Sequence, residues 1–361
     1  MIDIKLITFQ QALLDSEKCG SRHLLLGNGF SIACIPTIFT YSSLYERADF
    51  TGIPEVKALF EKLRTMDFEL VIKSLENASV ALPLYLKEHD DVAEDMQQDA
   101  AKLKELLIKT VAEHHPAFPS EIEEAKYLRC ISFLKNFMDH NGRIYTFNYD
   151  LLLYWTVMYG MENKLIEQKP LDGFGRDVDY QNGEFLVSDY LTWQGESHAR
   201  FQNIHYIHGA LHLYDKGAFL EKFTWNNKSV PLIDQARKAL SEGRFPLFVS
   251  EGDCDKKMEK IIHNGYLYHC YKSFSATMKV APRIGYNCLF TFGVSFTQND
   301  NHILKKIAEG KVKRLYVGIY GDSKTTDNQI IIAAAESLKS KRSTGDLQIF
   351  YYDAQSAHVW S

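Results

Sequence analysis

NCLFTFG (residues 287–293), RLYVGIY (314–320) and LQIFYYD (347–353) are three short apolar segments, separated by NDNHILKKIAEG (299–310) and DNQIIIAAAESLKS (327–340). The three apolar segments lack strict alternation with polar residues, which is typical of parallel strands buried on both faces. The two intervening segments repeat apolar residues every three or four positions, as helices do. Because strand–helix–strand connections are right-handed, this succession predicts a parallel, Rossmann-like sheet.

Further apolar segments extend this prediction towards the N-terminus. They are HLLLG (23–27), RIYTFN (143–148), NIHYIHG (203–209) and PLFVS (246–250). Residues 253–280 predict two helices that are broken near Asn264–Gly265, because Asn and Gly disfavour a helix interior. We therefore expect an α/β protein with a mostly parallel, Rossmann-like sheet flanked by helices.

Two long segments do not fit the strand–helix alternation. Residues 51–140 have an almost wholly helical pattern, which predicts a helical insertion after the first βα unit. Residues 160–202 contain DGFGRDVDYQNGEF, whose Gly, Asp and Asn density predicts a long irregular loop or a small subdomain. The main domain is then expected to comprise residues 1–50 and 141–361.

Composition excludes several classes of protein. Hydrophobic residues make up 45% of the 361 residues and aromatic residues 13%, enough for a substantial core. The net charge is −5 without a long Lys/Arg run, so neither nucleic-acid nor membrane binding is expected. The first 18 residues predict an amphipathic helix rather than a signal peptide, and no apolar run is long enough to span a membrane, so we expect a cytoplasmic protein.

Cysteine and histidine spacing gives no metal motif. The six cysteines include no C-x-x-C pair, so reduced and mostly buried thiols are expected rather than a cysteine-built zinc site. The thirteen histidines include no H-E-x-x-H. We therefore expect no metal.

Polar residues and glycines follow the predicted strands, where open α/β sheets bind their ligands. They are Gly27, Asn28, Gly29 and Ser31 in GNGFS, Asn148 and Asp150 in TFNYD, His208 in HG, Gly293 and Ser295 in GVS, and Asp353 after the last strand. Each motif alone is more often a turn, a helix cap or a buried histidine at a strand end. GNGFS also lacks the third glycine of the dinucleotide fingerprint, because position 32 is Ile.

The order strand–GxGxS, strand–TxNxD, strand–HG and strand–GxS is similar to that of the NAD-binding site in the sirtuin superfamily. The sequence resembles the sirtuin-like domains of bacterial NAD-consuming antiphage-defence proteins more than it resembles the protein deacylases. It has no four-cysteine zinc ribbon, and the arginine that follows GxGxS in deacylases is absent. The resemblance therefore implies an NAD glycohydrolase, which releases nicotinamide and ADP-ribose, rather than a deacylase.

Carried over residue by residue, the resemblance implies phosphate and ribose contacts at Gly27, Asn28, Gly29 and Ser31, a second phosphate contact at Gly293 and Ser295, and an adenine contact at Asp353. It also implies that Asn148 orients a water or the ribose, that Asp150 contacts the nicotinamide carboxamide, and that His208 is catalytic. These roles suit the chemistry, because breaking the nicotinamide–ribose bond builds positive charge at C1′. An amide orients a water without adding charge, and a histidine with a pKa near ~6.5 accepts a proton at neutral pH.

Two other functions fit the same motifs. A catalytically inactive sensor of NAD or ADP-ribose would signal through its oligomeric state, and an ADP-ribosyltransferase would pass ADP-ribose to an acceptor. Asn148 and His208 distinguish a hydrolase from a sensor, because a sensor needs neither residue. As partners besides NAD, the resemblance implies further copies of the chain and an ATPase or sensor protein encoded in the same operon.

Overall fold

The computed structural model describes residues 2–86, 90–167, 169–176, 178–181, 184–187, 190–196, 201–224, 230–280, 285–342 and 345–361. Its strands are β1 (Leu6–Ile7), β2 (Ser21–Leu26), β3 (Ile144–Thr146), β4 (Phe174–Gly175), β5 (Val178–Gln181), β6 (Glu184–Val187), β7 (Leu191–Trp193), β8 (Ile204–Tyr206), β9 (Leu213–Asp215), β10 (Leu220–Lys222), β11 (Asn287–Phe292), β12 (Arg314–Ile319) and β13 (Gln348–Asp353). Its α-helices are α1 (Phe9–Asp15), α2 (Gly29–Cys34), α3 (Pro36–Phe39), α4 (Tyr41–Arg47), α5 (Pro54–Leu63), α6 (Phe68–Tyr85), α7 (Asp90–His114), α8 (Glu124–Met138), α9 (Leu152–Glu162), α10 (Leu232–Ser241), α11 (Cys254–His263), α12 (Gly265–Lys279), α13 (Asn301–Glu309) and α14 (Thr326–Ser340).

Seven strands form the central sheet, in the order β1-β13-β12-β11-β2-β3-β8. Every neighbouring pair is parallel, so the predicted Rossmann-like α/β fold is confirmed. The chain builds outward from β2 through β3 to β8, and then returns to the other side of β2 with β11. The junction of β2 and β11 is therefore the switch point, outside which ligands bind in sheets of this kind.

Aromatic side chains hold helices against both faces of the sheet. On one face, Phe137 of α8 and Phe9 of α1 pack on Phe290 of β11, with ring centroids 5.4 and 6.1 Å apart. On the other face, Phe274 of α12 packs edge-on against Tyr145 of β3 at 5.0 Å. Each fully buried side chain of this size stabilises the fold by about 1.5–3 kcal/mol relative to an exposed one. Burial on both faces explains why the strands read as continuous apolar segments.

The N-terminal segment differs from its prediction. Leu6 and Ile7 form an edge strand that pairs in parallel with β13, so the amphipathic helix predicted over the first 18 residues is wrong for that part. The helix begins only after Thr8, whose hydroxyl accepts a hydrogen bond from the Gln11 backbone N–H. The Gln11 side chain accepts one from the Thr8 N–H in return, which completes a capping box.

The predicted strand at 246–250 is also wrong. It forms only a single antiparallel bridge, between Phe248 and Gly209. The segment crosses the loop that follows β8, where Leu247 O accepts a hydrogen bond from Ala210 N and His208 O accepts one from Val249 N. Its backbone groups are thus used to cover that loop rather than to extend the sheet.

Residues 51–140 are helical, as their pattern predicts, and contain α5 to α8. Helices α6 and α7 pack against each other, and α8 lies against β2 before the chain enters β3. That this segment is an insertion into a smaller fold stays a prediction.

The segment 160–202 begins with the end of α9, and its described residues include strands β4 to β7. Residues 168, 177, 182–183, 188–189 and 197–200 of that predicted loop or subdomain lie outside the described structure. Strands β4 and β7 join β10 and β9 in a four-stranded sheet, and β5 pairs with β6.

Two cysteines differ from the expectation of reduced thiols. Cys19 and Cys288 form a disulfide, whereas Cys34, Cys130, Cys254 and Cys270 are free.

The break between helices α11 and α12 lies near Asn264, as predicted, and the Asn264 side chain caps α12 by accepting a hydrogen bond from the Leu267 N–H. Among the described helices, none is both long and apolar enough to cross a membrane.

Candidate active site

The two glycines of GNGFS lie where the loop after β2 touches the loop after β11. Gly27 N–H donates to Phe292 O and Gly29 N–H donates to Gly293 O, both at 3.0 Å. A Cβ on Gly29 would lie 2.5 Å from the Gly293 Cα, far inside van der Waals contact. Gly293 itself has a φ of +66°, which side-chain-bearing residues rarely adopt. Close approach of two backbones therefore explains these glycines, and the predicted phosphate contacts stay predictions.

Ser31, Asn148 and Asp150 form one buried hydrogen-bonded chain. The Ser31 hydroxyl donates to Asp150 Oδ2 at 2.5 Å, and Asn148 Nδ2 donates to Ser31 Oγ at 2.7 Å. Ser31 is completely buried, and Asn148 is 8% exposed. The register explains the contact, because Leu26 of β2 pairs with Thr146 of β3 and both strands end beside each other. The structure thus brings together three residues that the sequence motifs had placed separately.

This chain fixes the orientation of the Asn148 amide. Because the Ser31 hydroxyl proton goes to Asp150, the Ser31 oxygen must accept, so the amino side of Asn148 faces it. The amide oxygen Oδ1 then points elsewhere and is buried, with no hydrogen-bond partner among the described residues. Leaving such an acceptor unpaired costs about 1–3 kcal/mol. A buried acceptor at the carboxyl edge of the sheet is the kind of group that a ligand hydroxyl or a water would satisfy.

Asp150 is committed to internal contacts. Its Oδ2 accepts from Ser31, and its Oδ1 accepts from the Leu152 N–H at 2.9 Å, at the start of α9. Burial raises the pKa of the Asp150 carboxyl, and these two hydrogen bonds oppose that increase. The observed role is to hold Ser31 and begin α9, while the implied contact with a nicotinamide carboxamide stays a prediction.

His208 lies beyond the end of β8 at the same level along the strands as Asn148 lies beyond the end of β3. Thr146 pairs with Tyr206, so both predicted catalytic residues lie two positions beyond one cross-strand pair. Phe147 stacks on the His208 ring with a centroid distance of 4.6 Å. The pKa of His208 is well below its usual value, first because of burial and then because of the nearby Lys257 and His302. The condition that the His208 pKa stays near ~6.5 is therefore not met.

A cluster of buried polar residues surrounds His208. Its Nε2 lies 3.2 Å from the Nε2 of His302 and 3.9 Å from Oδ1 of Asp300. The Lys257 ammonium donates to that same Asp300 oxygen at 3.1 Å and to Glu69 Oε2 at 2.9 Å. The ligating atoms of His208, Asp300 and His302 all lie within 4.8 Å of one another, close enough to share a metal ion.

Burial and charge set the protonation of this cluster. Burial alone would lower the pKa of Lys257, but the Asp300 and Glu69 carboxylates outweigh it and raise the pKa. Burial lowers the pKa of His302 to about 4. At neutral pH the lysine is therefore charged, whereas His302 and His208 are both neutral.

The sequence motifs did not reveal this cluster. Asp300 and His302 form a D-x-H pair five residues after GVS, and that pair beside a predicted ligand edge was the available signal. Lys257 and Glu69 are 188 residues apart and carry no such signal.

The remaining predicted site residues make other contacts or face solvent. Asn28 Nδ2 donates to Phe39 O at 3.1 Å, which ties the turn to α3. Ser295 is exposed. Asp353 Oδ1 accepts from the Gln355 N–H at 2.9 Å and so caps the turn after β13. Between Ser295 and the cluster, Phe296 has a φ of +55°, an uncommon conformation for a bulky residue that concentrates at functional sites.

Two surface pockets lie away from these side chains. One is lined by Arg22 and His140, at the opposite edge of the sheet, and the other by Tyr41, Tyr45 and Phe60. Neither pocket is lined by Asn148 or His208. Asn148 and His208 are almost fully buried, at 8% and 2% exposed.

The fold and these side chains define a class: a parallel α/β protein with a buried polar site at the carboxyl edge of its sheet. Within that class, the chain belongs to the family described as a domain of unknown function, DUF4917, whose model matches residues 24–360. No curated protein matches the sequence. The matched range includes every predicted site residue, and also Trp360, whose indole N–H donates to Phe30 O at 2.9 Å and fixes α2.

Proposed function

We propose that this protein cleaves the N-glycosidic bond of NAD, releasing nicotinamide and ADP-ribose. The observation that carries the proposal is the buried amide oxygen of Asn148 at the carboxyl end of β3, next to the switch point, which has no hydrogen-bond partner among the described residues. The resemblance of GNGFS, TFNYD, HG and GVS to sirtuin-like motifs supplies the substrate class. Ser31 and Asp150 add support, because they hold the Asn148 amide in one orientation before any ligand binds.

The proposed reaction needs one water and one base. The nicotinamide–C1′ bond breaks, nicotinamide leaves with the bonding electron pair, and the oxygen of a water forms the new bond to C1′. Asn148 Oδ1 accepts a hydrogen bond from that water or from a ribose hydroxyl. The water's proton passes to His208, which is neutral and therefore able to accept it. General-base assistance of this kind contributes about 10²–10⁴ in rate.

The low pKa of His208 constrains the mechanism. A base that holds a proton weakly is less effective in the transition state than one with a pKa near the working pH. His302 lies 3.2 Å from His208 and offers a second nitrogen to which the proton can pass. The pair, rather than His208 alone, is the proposed proton acceptor.

Product analysis tests the proposal. The full chain is incubated with NAD, and nicotinamide and ADP-ribose are separated by chromatography. The variant His208→Gln is compared with the control His263→Gln, which changes an exposed histidine. We expect stoichiometric release of both products, slowed at least ~10²-fold by His208→Gln alone. NAD binding without any release would instead favour the sensor. Nicotinamide release with ADP-ribose attached to protein would favour the transferase.

The resemblance also implies a regulated effector in antiphage defence. A hydrolase of this kind would deplete the NAD pool of its own cell once activated. The cellular NAD content during phage infection, with and without the His208→Gln change, tests that part of the proposal separately.

A further inference from the structure

His208, Asp300 and His302 bring two imidazole nitrogens and one carboxylate oxygen together from two separate segments of the chain. We propose that these three side chains bind a divalent transition-metal ion of the zinc type. His208 is held in the loop that follows β8, and the other two residues lie at the start of α13, after β11. The site is therefore built between two strand ends of one sheet.

The distances fit a tetrahedral ion. Zinc lies about 2.0–2.2 Å from histidine nitrogens and carboxylate oxygens, so its ligand atoms are about 3.3–3.5 Å from one another. The two nitrogens are 3.2 Å apart, and the His208 nitrogen is 3.9 Å from Asp300 Oδ1. These two values bracket the required separation, and the His302 nitrogen and the Asp300 oxygen lie within 4.8 Å of each other, so modest side-chain movements would complete the coordination.

The ligand types select the metal. Imidazole suits zinc, cobalt and nickel, whereas magnesium and calcium prefer sites built wholly of oxygen. Three protein ligands leave a fourth position open, as in catalytic zinc sites with two histidines and one carboxylate. The two histidines are almost fully buried and the Asp300 side chain is 13% exposed, which limits how far each ligand atom can move.

Lys257 orients the carboxylate and weakens the site. Its ammonium donates to Asp300 Oδ1 at 3.1 Å and is anchored by Glu69, so it fixes the carboxylate as outer-shell donors do in metal sites. The same positive charge repels a bound cation. Replacing the lysine and its glutamate together should therefore tighten metal binding, a direction that general loss of structure would not produce.

Metal binding would also regulate the site, and this part rests on the proposed function. A metal on His208 Nε2 would block proton transfer between His208 and His302, which the proposed hydrolysis uses. Zinc is therefore expected to inhibit NAD cleavage and a chelator to restore it.

Cobalt(II) alone is the probe, because tetrahedral cobalt absorbs visible light and reports on geometry without any enzymatic assay. The full chain is titrated together with His302→Gln, Asp300→Asn, the double variant Lys257→Met/Glu69→Gln, and the control His263→Gln. We expect one cobalt per chain with a tetrahedral spectrum. Affinity should fall at least ~10-fold in the two ligand variants, stay unchanged in the control and rise in the double variant.

The inference is overturned if the chain binds no cobalt below about 1 mM, or if His302→Gln and Asp300→Asn bind it as the unaltered chain does. Failure of the proposed function is distinguishable. Cobalt binding without NAD cleavage would leave the metal site standing, and cleavage without cobalt binding would leave only the hydrolase.

Discussion

Gly293→Ala tests whether the backbone contact at the switch point is as tight as the structure shows. An alanine there must adopt a φ of +66°, which costs about 1–2 kcal/mol. Its Cβ would also lie 2.6 Å from both the Gly29 carbonyl carbon and the Phe30 nitrogen, so one loop must shift. Overpacking of this kind costs a further ~1–3 kcal/mol. We expect the free energy of unfolding to fall by about 2–5 kcal/mol in total.

Gly243→Ala is the matched control. Gly243 has a φ of +72°, and no described atom lies within 4 Å of the position of its added Cβ. Only the backbone cost of about 1–2 kcal/mol then applies. Urea unfolding of both variants measures the difference, provided that the dependence on urea concentration is unchanged. If the two variants lose the same stability within about 0.5 kcal/mol, the reasoning about the two loops is refuted.

Three experiments test other parts of the structure. Burial lowers the pKa of His115 to about 4 in the folded protein, compared with ~6.5 in the unfolded chain. The stabilising contribution of the neutral histidine is therefore complete above about pH 6.5 and is lost as the pH falls towards 4. Urea titrations from pH 7 to pH 5 measure how the free energy of unfolding depends on pH. His115→Gln should reduce that slope by up to ~1.4 kcal/mol per pH unit, and an unchanged slope would contradict the reasoning. Ser31→Ala should lower the free energy of unfolding by ~1–3 kcal/mol in the same assay at pH 7, because it removes the hydroxyl that donates to Asp150. A loss below about 0.5 kcal/mol would contradict the buried hydrogen bonds of Ser31, Asn148 and Asp150. Lys257→Met should lower the free energy of unfolding by ~3–5 kcal/mol, because it leaves the Glu69 carboxylate without its cation. Adding Glu69→Gln should recover part of that loss. Equal stability of the single and double variants would exclude the ion pair.

The central sheet could be predicted because burial on two faces leaves a direct mark on the sequence. Every residue of Asn287–Phe292 is buried, so the strand reads as one apolar segment. The edge strand Leu6–Ile7 leaves no such mark, because two half-buried residues are too few for a period. Residues 246–250 show the opposite error, since an apolar segment that covers a loop reads like a buried strand.

The site was predictable only where strand ends place it. Ser31 and Asn148 meet across 117 residues because parallel neighbouring strands end at one edge. His302 and Lys257 join the site from the helices after β11 and before α12, and helix packing sets their position. Side-chain geometry of that kind has no period or spacing to read from one sequence. The same holds for the Asn148 amide oxygen, which has no partner among the described residues and whose orientation depends on the direction of one hydroxyl proton.

Nicotinamide release by Asn148→Ala tests the central claim most directly. The rate is measured with saturating NAD, after circular dichroism and thermal melting have shown that the variant is folded. The amide oxygen is proposed to bind the reacting water or ribose, so its removal should slow release at least ~10²-fold while NAD still binds. Release within twofold of the unaltered chain would show that Asn148 is not part of the chemistry, and the proposed site would then be wrong.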